Sequence, residues 1–211
     1  MIRLYPSRIP YIVRRLFSKL IYRYPANGNR VYLTFDDGPT PEVTPWVLDL
    51  LKQEQIKATF FCVGSQIEKH PDIFKQIIDA GHQIGNHSFQ HENGWKTASV
   101  EYLESVKKTG KLITQYNISS KLFRPPYGRI TPKQIKFLKQ ANYRIIMWSI
   151  LSGDFSSKLN PALALNYLKN NTHAGAIIVF HDSLKAYKNL KIILPAYIKQ
   201  LKKQGYTFAK L

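Results

Sequence analysis

Apolar residues along this chain follow two alternating rhythms. Short runs rich in β-branched and aromatic residues occur at 31–35, 58–63, 83–86, 122–124, 144–149, 176–180 and 206–209. Between them, at 43–54, 73–80, 100–116, 132–140, 161–170 and 190–203, apolar positions recur every three or four residues. The first rhythm suits strands and the second amphipathic helices. Val43, Val47, Leu50 and Leu51 share one face of the first helix, and Thr40 before Pro41 predicts its N-cap. Gly205 predicts where the last helix stops. Seven strand segments alternating with helices predict parallel βα units, hence an α/β barrel or a doubly wound sheet. The polar residues favour the barrel. Asp36, Asp37, His87, Arg124, Asp154 and His181 all fall at or just beyond the C-terminal ends of strand segments, which a barrel gathers onto one face.

Three strings carry most of the chemistry: Thr34-Phe35-Asp36-Asp37-Gly38-Pro39, His87-Ser88-Phe89-Gln90-His91 and Phe180-His181-Asp182. They supply an acidic pair, two imidazoles four residues apart and one further histidine. A hydrolytic divalent metal needs one carboxylate and two neutral imidazoles, with positions left open. Asp37, His87 and His91 can provide that set, which leaves Asp36 free to act as a base. Residues four apart share a face on a helix, and an irregular strand-end loop can also bring the two imidazoles together. Adjacent Asp36 and Asp37 would point to opposite sides of an extended strand, so the bend at Gly38-Pro39 lets one face a metal and the other a substrate. His70, His82 and His173 read as surface or turn residues.

The order and wording of these strings resemble the polysaccharide deacetylase family, the NodB-homology or carbohydrate esterase family 4 group. Arg124-Pro125-Pro126-Tyr127-Gly128 is similar to its third signature, and Ile178-Val179-Phe180-His181 to its fifth. The resemblance runs from about Val31 to the C-terminus and implies a distorted (β/α)7 barrel. It implies Asp37, His87 and His91 as metal ligands, Asp36 as general base, His181 as general acid, and the backbone N–H of Tyr127 toward an oxyanion. Arg124 is implied as the partner of Asp36. Pro126, Tyr127, Trp148 and Phe155 are expected on the substrate side, with Trp95 a further candidate wall. The fourth signature departs from the family: in Trp148-Ser149-Ile150-Leu151-Ser152-Gly153-Asp154-Phe155, Leu151 stands where an acid tethers the arginine. Asp154 is then expected to reach Arg124, or Arg124 to pair with Asp36 alone.

At 211 residues, 44% hydrophobic and 21% charged, the chain has the size and composition of one globular domain. The single Cys62 sits in an apolar run and reads as a core thiol. Lys plus Arg number 31 against 13 Asp plus Glu, a formal charge of +18. No compact basic run with interleaved aromatics stands out, so nucleic acid is not an expected partner. Residues 1–28 read as a basic amphipathic extension and 29–211 as the catalytic domain. Ile12, Leu16, Leu20 and Ile21 recur at helical spacing among basic residues. That pattern suits contact of residues 1–24 with an anionic membrane surface, or a helix capping the barrel. Neither a secretory signal nor a spanning segment is visible, so the expected location is cytoplasmic or peripheral on the membrane.

The function expected from motifs and resemblance together is metal-dependent de-N-acetylation of an N-acetylglucosamine glycan, with zinc as the metal and cobalt, nickel or manganese as alternatives. Two rivals stand beside it: a deacylase or deformylase of a lipid-linked amino sugar, and a catalytically weak glycan-binding homologue.

Overall fold

A computed structural model describes residues 19–26 and 28–211. Strand β1 (Arg30–Asp36) leads to helix α1 (Val43–Gln53) and β2 (Thr59–Cys62). Two consecutive helices follow, α2 (Gly64–Lys69) and α3 (Pro71–Asp79), then β3 (Gln83–Asn86) and α4 (Ser99–Thr114). The second half runs β4 (Leu122–Phe123), a 3-10 turn (Pro126–Gly128), α5 (Pro132–Gln140), β5 (Arg144–Ile145), β6 (Ile150–Leu151), α6 (Pro161–Asn171), β7 (Ile177–His181), α7 (Leu184–Lys203) and β8 (Thr207–Phe208).

Seven strands lie in the order β5-β4-β3-β2-β1-β7-β6, and every pair is parallel. Strand β8 pairs with the first two residues of β1. In the gap between β5 and the β6–β7 side lies the segment just before β1. Ile21 bridges Ile146 in parallel and Arg23 bridges Ala176 antiparallel. Ser149 Oγ donates to the Tyr22 carbonyl, and Leu20 and Tyr22 are buried. Residues 20–24, placed with the extension by their sequence, thus pack into the barrel seam. The rest of the expected amphipathic helix, with Ile12 and Leu16, lies outside the described residues.

Alternation along β1 sets up the interior. Val31, Leu33 and Phe35 face the large cluster shared with Val47, Leu51, Leu194 and Tyr197 of the covering helices. Tyr32 belongs to a second cluster with Phe61, Leu122, Ile146 and Ile177. Thr34 and Asp36, on the same side of β1 as Tyr32, reach into that interior. Fully burying a side chain such as Phe35 or Leu51 contributes about 1.5–3 kcal/mol, and Cys62 is a free buried thiol in the same core.

The elements differ from expectation in five places. Helix α2 and strand β6 are too short to show a period. Helix α7 starts at Leu184 instead of 190, because Lys185 and Lys188 dilute its apolar signal while Ala186 and Asn189 are buried. The predicted strand 144–149 pairs as β5 only over Arg144–Ile145; next to it Ile21 bridges Ile146, with the Ile21 N–H donating to the Ile145 carbonyl and the Met147 N–H to the Ile21 carbonyl. Finally, Thr40 does not cap α1. Glu42, at φ 64°, occupies that position without a side-chain cap, and the Thr40 carbonyl accepts from the Thr44 N–H. The last helix does end before Gly205, whose φ is 75°.

Candidate active site

Parallel register brings the strand ends to one level. Asp36 of β1 lies opposite Phe61 of β2 and His181 of β7, and Asn86 of β3 lies opposite Cys62 and Phe123. Asp36 and His181 are therefore neighbours across two strands although 145 residues separate them in sequence.

The chain then leaves each strand abruptly. Asp37 takes φ 84°, which turns its carboxylate away from the strand alternation. Gly38 follows with no room for a side chain, since a Cβ there would lie 1.9 Å from Asp182 Oδ2. Asp182 holds this turn: its Oδ1 accepts the Gly38 N–H at 3.1 Å and its Oδ2 the Thr44 hydroxyl at 2.6 Å. After β3, Asn86 Oδ1 accepts the Ser88 N–H and its amide donates to the Val106 carbonyl. Ser88 and His91 both have positive φ, 64° and 57°. The two histidines thus converge from a loop, not from a helix face.

Asp37, His87 and His91 form one group, with ligand atoms all within 4.8 Å of one another. Asp37 Oδ1 lies 3.2 Å from His91 Nε2 and 3.7 Å from His87 Nε2. Ligands at roughly 2.0–2.2 Å from one ion sit about 3–4 Å apart, so these separations fit a shared metal. Asp37 Oδ1 is also buried with no directed hydrogen bond from the described residues, an orphaned oxygen facing two imidazoles. Burial opposes the charge of Asp37, but contact with His91 and the nearby His181 and His87 outweigh it and hold its carboxyl well below the usual range. Burial pushes His87 down to about 4, with Asp36 opposing, so the imidazole is neutral and its approach to Asp37 is not an ion pair at neutral pH. His87 Nδ1 lies 2.8 Å from the Arg124 carbonyl, which takes the ring proton and leaves Nε2 with its lone pair inward. The donor set fits a divalent metal.

Arg124 is fully buried behind this group. Its Nη1 donates to Asp36 Oδ1 and to Thr34 Oγ1, each at 2.7 Å, its Nε to the Ile146 carbonyl and its Nη2 to the Met147 carbonyl. The guanidinium also lies 4.1 Å from the Phe61 ring centre. Among the described residues Asp36 is its only acidic partner. Asp154 does not reach Arg124, which corrects one of the two expectations for it. Its two oxygens instead take the His181 backbone N–H and His181 Nδ1, both at 2.8 Å. Burial alone would lower the pKa of His181, but Asp154, aided by Asp37 and Asp36, raises it to about 9. His181 is thus an imidazolium at neutral pH.

The remaining residues split. Tyr127 takes φ 59° in the 3-10 turn, is 61% exposed and packs T-shaped against His91 with ring centres 4.5 Å apart. Pro126 is buried beneath it. Phe155 meets the edge of His181 at 5.0 Å. Trp148 packs under Gly128, where a Cβ would lie 2.6 Å from its ring, and its Nε1 is buried without a hydrogen-bond partner among the described residues. His82 is no surface residue: its ring packs at a tilt against Phe60, it accepts the Ala58 N–H through Nδ1, and burial lowers its pKa to about 4. Asp182, Thr34, Thr44 and Asn86 carried no signal beyond their places near the motifs, yet they hold the site together.

The family model described as polysaccharide deacetylase matches residues 23–146. The chain belongs to the polysaccharide deacetylase family. A Bacillus cereus protein named peptidoglycan-N-acetylglucosamine deacetylase is 38% identical over 89% of this chain and 68% of its own. The crystal structure of the Bc1960 peptidoglycan N-acetylglucosamine deacetylase superimposes with TM-score 0.88 at 34% identity, covering 96% of this chain and 95% of that one. A protein from Bacillus anthracis described as a family 4 pseudoenzyme superimposes with TM-score 0.81 at 30% identity, covering 90% of this chain and 66% of that one. In this deacetylase family member the acidic pair, the three convergent donors and the lone histidine of the strand ends are all present.

Proposed function

We propose that the chain de-N-acetylates N-acetylglucosamine units of a peptidoglycan-type glycan, releasing acetate and leaving a free amine. The observation that carries this is one convergence: the Asp37–His87–His91 group, with Asp36 and His181 in register on neighbouring strands beside it. Its likeness to proteins named for that reaction on peptidoglycan supports the substrate class.

Asp37, His87 and His91 would hold the ion, and zinc suits two imidazoles and a carboxylate best, with cobalt, nickel or manganese also accepted. A divalent ion bound there supplies Lewis acidity toward the amide carbonyl and lowers the pKa of water. Asp36, positioned by Arg124, takes the proton from the attacking water. The backbone N–H of Tyr127 would donate to the oxygen on which negative charge builds. His181, protonated and oriented by Asp154, gives its proton to the nitrogen as the C–N bond breaks, since a bare amide anion is too basic to leave.

A glycan-binding chain with little turnover is the second reading. Leu151 in place of the family acid motivates it, together with the likeness to a pseudoenzyme fold. Acetate release from N-acetylglucosamine oligomers separates the two readings. Chelated protein should be inactive, reloading with zinc or cobalt should restore release, and Asp36→Asn should remove it. Oligomer binding by the metal-loaded chain without acetate release would overturn the deacetylase reading. Among the described residues no helix is long and apolar enough to cross a membrane.

A further inference from the structure

Aromatic rings continue outward from the centre on both sides, and each row ends in a cation. On one side Tyr127, edge-on to His91, is followed by the Arg129 guanidinium, 5.9 Å from the Tyr127 ring and 5.1 Å from that of Trp95. On the other, Phe155, edge-on to His181, lies 5.8 Å from the Lys185 ammonium. Among the described residues neither Arg129 nor Lys185 has a carboxylate within ion-pair distance.

Trp95 is 65% exposed and yet firmly held. Its indole N–H donates to the Ile130 carbonyl at 3.3 Å and its backbone N–H to Asn93 Oδ1 at 3.1 Å. Gln134 Nε2 donates to the Gly94 carbonyl at 2.9 Å. Gly94 itself lies so close to the Arg129 carbonyl that a Cβ would come within 2.4 Å of it. The loops carrying Trp95 and Arg129 are therefore fastened to each other before any ligand arrives. An exposed, immobilised indole offers a flat apolar face that suits the C–H face of a sugar. A guanidinium beside it offers paired N–H groups matched to a carboxylate. Rings alone would serve a neutral glycan, so cations without acidic partners at both ends call for an anionic one. The chain's +18 charge favours the same class of ligand at long range.

We propose that Trp95 and Arg129 form a subsite for the sugar next to the one deacetylated, and that Arg129 binds a carboxylate borne by that sugar. Lys185 places a second cation at the opposite end. The inference rests on the deacetylase reading, and it is tested by equilibrium binding, which does not require turnover.

Calorimetric titration of the zinc-loaded chain would compare three oligosaccharides of equal length: neutral N-acetylglucosamine oligomers, peptide-free peptidoglycan strands with lactyl carboxylates, and strands carrying stem peptides. The peptide-free strands should bind more tightly than the neutral oligomers, and the advantage should shrink with salt. Arg129→Gln should erase about tenfold of that advantage, as expected for one charge-assisted contact, and Arg129→Lys should retain part of it. Trp95→Ala should weaken all three ligands, and Lys185→Gln should weaken the acidic ones by a smaller factor. An equal loss on neutral and acidic strands in Arg129→Gln, or a loss confined to peptide-bearing strands, would overturn the sugar-borne carboxylate. Failure to release acetate from any ligand, with these affinity differences intact, would count against the deacetylase reading alone.

Discussion

Two buried carboxylate–cation pairs flank the centre, Asp36–Arg124 and Asp154–His181, and their surroundings differ. Arg124 is sealed from solvent and directs four hydrogen bonds onto one carboxylate, one hydroxyl and two backbone carbonyls. Its charge is permanent, so the pair fixes geometry and cannot store a proton. The cation of the second pair titrates, and its side chain keeps 14% exposure at the mouth of the site. Asp154 spends both oxygens on the same histidine, on its ring and on its backbone. The first pair is built to stay charged, and the second to hold a proton until it is needed.

Four experiments test that contrast. Asp154→Asn removes the charge that keeps His181 protonated, so acetate release at neutral pH should fall about 10²- to 10⁴-fold, the range for loss of a general acid. Thermal unfolding should report a folded variant, and an unchanged rate would end the protonic account of the pair. Arg124→Met should act on stability, because Asp36 is then left buried and unpaired. Urea unfolding should show a loss of about 3–5 kcal/mol, with part recovered in the Arg124→Met/Asp36→Leu double variant.

The third is a pH series on chelated protein. His181 titrates at about 9 when folded against 6.5 for its ordinary value, so its contribution is complete below pH 6.5 and is lost as pH rises through about 9. That gap corresponds to about 3 kcal/mol. The difference in unfolding free energy between wild type and His181→Gln should therefore shrink between pH 6 and 10. His87 has the opposite sign. Folded at about 4 and ordinarily 6.5, its contribution is present above pH 6.5 and is lost as pH falls through 4. The smallest effect is expected at the Asp37 turn. Thr44→Val deprives Asp182 of the Thr44 hydroxyl and leaves the Thr40 N–H without its acceptor, which should cost about 1–3 kcal/mol by chemical unfolding. Burial and the neighbouring Asp37 push Asp182 up to about 8, against the hydrogen bonds from Thr44 and Gly38, so this support weakens without the hydroxyl.

Much of the site is legible in the order of the residues. Asp36, Asp37, His87, His91 and His181 stood out because a hydrolytic metal centre needs those side chains in a recognisable order. The misreadings had physical causes. Asp154 was one of two alternatives for Arg124, because it is the acid that remains in the string where Leu151 replaces the arginine's tether. In the fold, Asp154 Oδ2 takes the backbone N–H of His181, and that contact has no trace in residue identity. Asp182 looked like the tail of a motif, whereas it holds the Asp37 turn through a Gly38 that admits no Cβ. His82 looked like a turn residue because its burial comes from Phe60 and the Ala58 N–H on another strand.

Residue order alone sets the number and type of most elements, because periods of two and 3.6 are local properties of a chain that buries one face. It also determined the chemical inventory and, through strand ends, the face on which that inventory gathers. Tertiary structure alone decided which carboxylate serves which cation, since pairing depends on register between strands far apart in sequence. It decided that Arg124 is balanced by one acid with two carbonyls and a hydroxyl, and that residues 20–24 fill the barrel seam. It also set an exposed Trp95 beside an Arg129 that has no acidic partner among the described residues. Those outcomes depend on distances in space, and a buried charge takes whichever partner the fold brings within hydrogen-bond reach.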